Sequence, residues 1–194
     1  MTKPSMLLYL HGFHSSPLSH KAVVMRDYCQ QHRPDIRFEC PQLPYFPKQA
    51  AELVRNLVLE YQDEYQIGLV GSSLGGYLST WLNHEFDLPA VLVNPAIKPY
   101  DLLHAYLGEQ CHPYTQENYV LELVHMDELK ALEVEQILRP HMFWLLLQTQ
   151  DEVLDYRQAL HKFDQSPKFI EEGGDHSFVG FERFPQKIIQ FLAL

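Results

Sequence analysis

The sequence predicts an α/β fold, a compact and mostly parallel sheet of about six strands with helices on both faces. Two patterns predict it. Short apolar runs alternate with amphipathic stretches from end to end, as repeated βαβ units require. Most of those runs are apolar nearly throughout, as strands covered on both faces must be. A third observation sets the scale: 194 residues with 46% hydrophobic content suit one domain with a sizeable core.

The strands are expected at residues 6–10, 36–40, 67–70, 90–93, 142–147 and 168–170. The run at 36–40 alternates apolar with polar side chains, which suits a strand near a sheet edge. Ser19 is placed to cap a helix that runs to about residue 31, with Pro34 forcing its end. Pro47 suits the first turn of a helix to about residue 61, with Ala50, Leu53, Val54, Leu57 and Val58 on one face. Further helices are expected at about 74–86, 155–163 (capped by Asp155) and 184–192. Residues 97–140 break the alternation. This stretch holds helix-like pieces at 99–107 and 119–138 and no evident strand. It reads as a small helical lid inserted in a single domain spanning 1–194, since connections this long often serve function.

The strongest chemical signal is Gly71-Ser72-Ser73-Leu74-Gly75, placed between an expected strand and an expected helix. A nucleophile at the tip of such a turn takes strained backbone angles, and the residues two away on either side must be small. The helix that follows offers free N–H groups and its dipole to negative charge. Ser73 is therefore the candidate nucleophile, and the N–H of Leu74 a candidate oxyanion donor. The glycines do not form G-x-G-x-x-G, and no Lys-Ser or Lys-Thr follows to make a phosphate loop.

A serine hydroxyl needs a base, and the base needs an orienting acid. Asp151 lies just beyond the expected strand at 142–147, at the sheet edge where open α/β folds place their sites. Glu152 is its competitor, whereas Asp155 is better used as a helix cap. His176 follows the last expected strand and the pair Gly173-Gly174, and it is the last histidine in the chain. Gly12, after the first strand, allows a close backbone approach, so the Phe13 N–H would complete a two-donor oxyanion hole. His11 is expected to shape that loop through hydrogen bonds.

These residues carry a resemblance. The chain resembles the α/β-hydrolase superfamily and, more closely, is similar to the YqiA-like esterase family of bacteria over nearly its whole length. The stretches that carry it start at Leu8-Tyr9-Leu10-His11-Gly12-Phe13, Pro41-Gln42-Leu43-Pro44 and Gly71-Ser72-Ser73-Leu74-Gly75-Gly76-Tyr77. Val93-Asn94-Pro95-Ala96, the run from Gln148 to Tyr156, and Glu172-Gly173-Gly174-Asp175-His176 complete them. The resemblance implies a serine hydrolase of carboxylic esters that needs neither metal nor organic cofactor. Its triad falls on Ser73, Asp151 and His176, with Phe13 and Leu74 as oxyanion donors. An acyl-CoA thioesterase with the same triad, or a non-catalytic binding module, are the alternatives.

Composition excludes other classes. Fifteen Lys and Arg against 25 Asp and Glu give a net charge of −10, a poor match to nucleic acid or an anionic membrane surface. The three cysteines are odd in number and widely spaced, which argues against a disulfide framework or a structural zinc site. The apolar run at 6–10 is too short for a signal-peptide core, and a cytoplasmic protein acting on a small acyl ester or thioester is expected.

Overall fold

The computed structural model describes residues 3–194. In chain order its strands are β1 Ser5–Leu10, β2 Arg37–Glu39, β3 Gln66–Ser72, β4 Ala90–Val93, β5 Gly108–Cys111, β6 Asn118–Leu121, β7 Phe143–Gln148 and β8 Lys168–Glu171. Its helices are α1 His20–His32, α2 Pro47–Tyr61, α3 Leu74–Phe86, α4 Pro99–Leu103, α5 Leu123–Lys130, α6 Tyr156–Lys162 and α7 Pro185–Leu192. Six strands form one sheet ordered β2-β1-β3-β4-β7-β8, with every neighbouring pair parallel. The alternating strand at 36–40 is an edge strand, as its pattern predicts.

The period of two along β1 divides the core. Met6, Leu8 and Leu10 face the layer of α2, α3 and α6, where they meet Val54, Val58, Leu78, Leu82 and Phe163. Leu7 and Tyr9 face α1 and α7, where they meet Ala22, Met25, Ile188 and Leu192. Local signals set the helix ends. Pro47 begins α2, and the Asp155 carboxylate accepts the Arg157 N–H at 3.0 Å to cap α6. Ser19 holds the N-cap position of α1, but its hydroxyl makes no cap hydrogen bond.

The insertion departs from the expected helical lid. Between α4 and α5 it folds into an antiparallel hairpin, β5 with β6, and the helix expected at 119–138 shrinks to Leu123–Lys130. Tyr119 and Leu121 point into the protein while Asn118 and Val120 face solvent, so the segment follows a strand period over only four residues. Its turn is closed by an atypical residue. The buried His112 ring accepts the Tyr114 and Thr115 N–H groups through Nδ1, at 3.3 and 3.2 Å. The hairpin and flanking helices build a third cluster of Tyr77, Tyr100, Leu103, Tyr119, Leu121, Met126 and Leu129. Among the described residues, no helix is long and apolar enough to cross a membrane.

Candidate active site

The sheet order reverses direction between β1 and β3, and ligands of open α/β sheets bind at such a switch point, beyond the carboxyl ends of the strands. The register pairs Leu10 with Gly71, so the loop after β1 and the turn after β3 start side by side. In that turn Ser73 has φ 54° and ψ −118°, a conformation that costs a side-chain-bearing residue about 1–3 kcal/mol. The surroundings hold it there. Its N–H donates to Val93 O at 3.1 Å, and its carbonyl accepts from Gly76 and Ala96 at 2.9 and 3.0 Å. The flanking glycines are sterically required, because a Cβ on Gly75 would collide with the Leu10 carbonyl and one on Gly71 with the Gly75 carbonyl.

Gly12 is packed against the same serine, where an added Cβ would sit 3.2 Å from the Ser73 Cβ. The N–H groups of Phe13, which follows Gly12, and of Leu74, which follows Ser73, donate to no acceptor among the described residues. Leu74 is the first residue of α3, so its free N–H belongs to the positive end of that helix. His11 is buried behind the loop. Its Nδ1 meets Gly12 O at 2.9 Å and its Nε2 accepts the Leu43 N–H at 3.1 Å, with burial pulling its pKa down to about 4.

Asp151 and His176, separate in sequence, come together at the far side of the sheet edge. Asp151 Oδ2 lies 2.8 Å from His176 Nδ1, while Oδ1 accepts the N–H groups of Val153 and Leu154 at 2.9 and 2.8 Å. The aspartate side chain is only 1% exposed and the histidine side chain 24%. An ionised carboxylate only accepts, so Nδ1 carries the hydrogen and Nε2 is left with a lone pair. No hydrogen bond joins Ser73 to His176 among the described residues. Contacts of this kind commonly tighten only when substrate is bound.

The loop bearing His176 is anchored by side chains that the sequence reading did not single out for this purpose. Asn94, 3% exposed, donates through Nδ2 to Asp175 O at 3.0 Å and His176 O at 3.3 Å, and accepts the Gln148 N–H at 3.0 Å. Gln148, 1% exposed, accepts the N–H groups of Asp175 and Val179 and donates to Val179 O and Glu171. Glu152, the competitor for the acid role, instead accepts the His176 backbone N–H at 2.9 Å, which holds its carboxyl below the usual range. Lys21 of α1 donates to Ser177 O at 2.9 Å. In the sequence, Asn94 and Gln148 stand out only as polar residues at the ends of apolar strands and as members of the stretches that carry the family resemblance.

A narrow cavity of about 30 Å³ lies beside Gly12, Phe13 and Leu74, beneath the hairpin. A far larger groove, about 770 Å³, runs between residues 97–101, 133–140 and α6. It contains Lys98, and neither it nor the smaller cavity is lined by Ser73, Asp151 or His176. Among the described residues, no three His, Cys, Asp or Glu side chains converge as metal ligands, and His14 is instead bonded to the Tyr119 hydroxyl at 2.7 Å.

A parallel sheet with a strained serine turn after β3 and an Asp–His pair beyond β7 and β8 defines an α/β-hydrolase fold. Solved structures agree on that fold. Alpha/beta hydrolase domain-containing protein 10 from mouse superposes with a TM-score of 0.73 at 18% identity, covering 100% of this chain and 91% of its own. Est1E from Butyrivibrio proteoclasticus gives 0.75 at 14% identity, with coverages of 100% and 88%. Within the fold, the chain belongs to the family described as "Uncharacterised protein family (UPF0227)", whose profile matches residues 6–193. A relative, UPF0227 protein YcfP from Salmonella paratyphi A, is 25% identical over 199 residues, covering 97% of this chain and 99% of its own.

Proposed function

We propose that the protein is a serine hydrolase that cleaves small-molecule acyl esters through an acyl-enzyme. The observation that carries this reading is the Asp151–His176 contact, a buried and fully hydrogen-bonded carboxylate that sets the tautomer of a partly exposed imidazole. Such an arrangement leaves Nε2 free to take a proton, and it stands on the same sheet edge as a serine held in a strained turn.

In the first step His176 Nε2 takes the hydroxyl proton of Ser73 as Oγ bonds to the acyl carbon. The Phe13 and Leu74 N–H groups receive the oxyanion; loss of one such donor typically costs about 10²–10³ in turnover. The carbon–oxygen bond to the alcohol then breaks, and the imidazolium gives its proton to the leaving oxygen. Water repeats the sequence: its proton goes to His176, its oxygen to the acyl carbon, and Ser73 regains its hydrogen as the acid departs. Asp151 keeps the ring oriented and stabilises the imidazolium throughout.

The test is labelling with a fluorophosphonate, followed by peptide mass spectrometry, with Ser73→Ala as control. An adduct on Ser73 that the variant lacks is the expected result. Well-folded protein that takes no label would sink the reading.

A further inference from the structure

Lys21 occupies a place that its own helix does not favour. It is the second residue of α1, so its charge shares the positive end of that helix, and no acidic side chain stands in the first turn. It is also half-buried. Burial pulls its pKa down to about 8, against the opposing pull of the nearby Asp175 and Asp151 carboxylates, so it keeps its charge at neutral pH. Its ammonium makes one hydrogen bond among the described residues, to Ser177 O at 2.9 Å in the loop that bears His176. That bond asks only for a donor. A cation held there against both burial and a helix dipole needs a further reason.

The charges around His176 supply that reason. Asp151 meets its Nδ1 at 2.8 Å, Glu152 accepts its backbone N–H at 2.9 Å, and Asp175 is the residue before it. The Oδ1 of Asp175 is buried and accepts no hydrogen bond among the described residues. One carboxylate orients the imidazole. Three together favour the protonated ring before substrate arrives, and a protonated ring cannot act as a base. Lys21 is the cation whose charge both Asp175 and Asp151 feel. Neighbouring charges on α1 and on the segments packed against it are engaged elsewhere. His20 meets Glu182 at 2.6 Å, Arg26 meets Asp27 at 2.9 Å, and Arg183 meets Glu171 at 2.7 Å. Lys187 lies over the Phe184 ring, and Glu172 is exposed.

We infer that Lys21 is a positioning residue for His176, whose ammonium offsets the surplus carboxylate charge around the imidazole and so favours its neutral, proton-accepting form. The inference rests on the serine-hydrolase reading and adds to it a residue that sets the working pH range of the site. Asp175 is its counterpart, the carboxylate that acts on it most strongly. The two charges have opposite effects. Loss of the ammonium leaves the ring easier to protonate, and loss of the Asp175 charge leaves it harder.

The experiment is the pH dependence of kcat/KM for p-nitrophenyl acetate, with fluorophosphonate labelling and thermal unfolding of the same preparations. The unaltered protein is compared with Lys21→Gln, which keeps a donor without the charge, Lys21→Arg, which keeps the charge, Asp175→Asn, and the double variant Lys21→Gln/Asp175→Asn. Lys21→Gln should move the midpoint of the acid limb up by about half to one pH unit, and Lys21→Arg should leave it in place. Asp175→Asn should move it down, and the double variant should bring it back. If Lys21→Gln lowers kcat/KM by the same factor at every pH and the midpoint stays put, the lysine only ties down the loop and the inference is overturned. Should Lys21→Gln alone not fold, the double variant decides. Its midpoint should lie above that of Asp175→Asn, and coincidence of the two overturns the inference in protein that still labels at Ser73. Absence of both turnover and label in the folded, unaltered protein removes the hydrolase reading, and the role of Lys21 goes with it.

Discussion

The two halves of the candidate site are held by different means. The turn carrying Ser73 is fixed by backbone: glycines that leave no room for a Cβ, and carbonyl and amide contacts to Val93, Gly76 and Ala96. The loop carrying His176 is fixed by side chains that arrive from elsewhere, Asn94 after β4, Gln148 at the end of β7, Glu152 beyond it and Lys21 from α1. The first half is therefore specified within a few consecutive residues, and the second by partners scattered along the chain. A local mutation should break the first outright, whereas the second should fail by degrees.

The largest effect tests the serine half. Ser73→Ala should lower ester turnover by at least about 10⁴-fold while the unfolding temperature barely moves, since the strained backbone is unchanged. Gly75→Ala attacks the same half through its backbone. Its Cβ has no space against the Leu10 carbonyl, and a loss exceeding about 3 kcal/mol is expected in denaturant unfolding.

His11, in the loop after β1, links that half to pH. Burial lowers its pKa from 6.5 to about 4, so the folded state disfavours the proton that the unfolded chain accepts. Its contribution is full above pH 6.5, falls as the pH drops, and is gone below about 4, a swing on the order of 3 kcal/mol. Unfolding curves across that window should show the slope, and His11→Gln should flatten it. For the histidine half, Asn94→Ala strands the Gln148 N–H and the Asp175 carbonyl, with an expected cost of about 1–3 kcal/mol. A fall in kcat with little change in KM would place the damage in the orientation of His176. The smallest effect is expected from Asp155→Ala, about 1 kcal/mol for a lost helix cap, with turnover unaffected.

The same contrast explains what the sequence discloses. Strands with continuous apolar runs and helices with proline or aspartate at their starts fall within a residue or two of expectation, because local composition decides them. The strand–serine–helix turn is legible for the same reason. Asp151 and His176 are legible through chain order, strand position and the family resemblance, and the structure adds the 2.8 Å contact between them. The roles of Asn94 and Gln148 were illegible, since a buried amide is identified by what it meets across the sheet edge rather than by its neighbours in sequence. The hairpin is hidden in the sequence because four residues of strand period, closed by a histidine-capped turn, are submerged in a longer helix-like pattern.

The placement of that hairpin has an evolutionary consequence. The insertion leaves the sheet after β4 and returns at β7, and these two strands are themselves paired neighbours, Ala90 opposite Phe143. Doubling the length of a flexible loop between fixed ends costs only about 0.6 kcal/mol in closure entropy. The chain can therefore lengthen, shorten or rebuild this excursion at small cost to the sheet, while Ser73, Asp151 and His176 stay on strand ends outside it. The excursion and the strand ends that carry Ser73, Asp151 and His176 are thereby separate stretches of sequence, and a change in the length of the one leaves the backbone of the other in place.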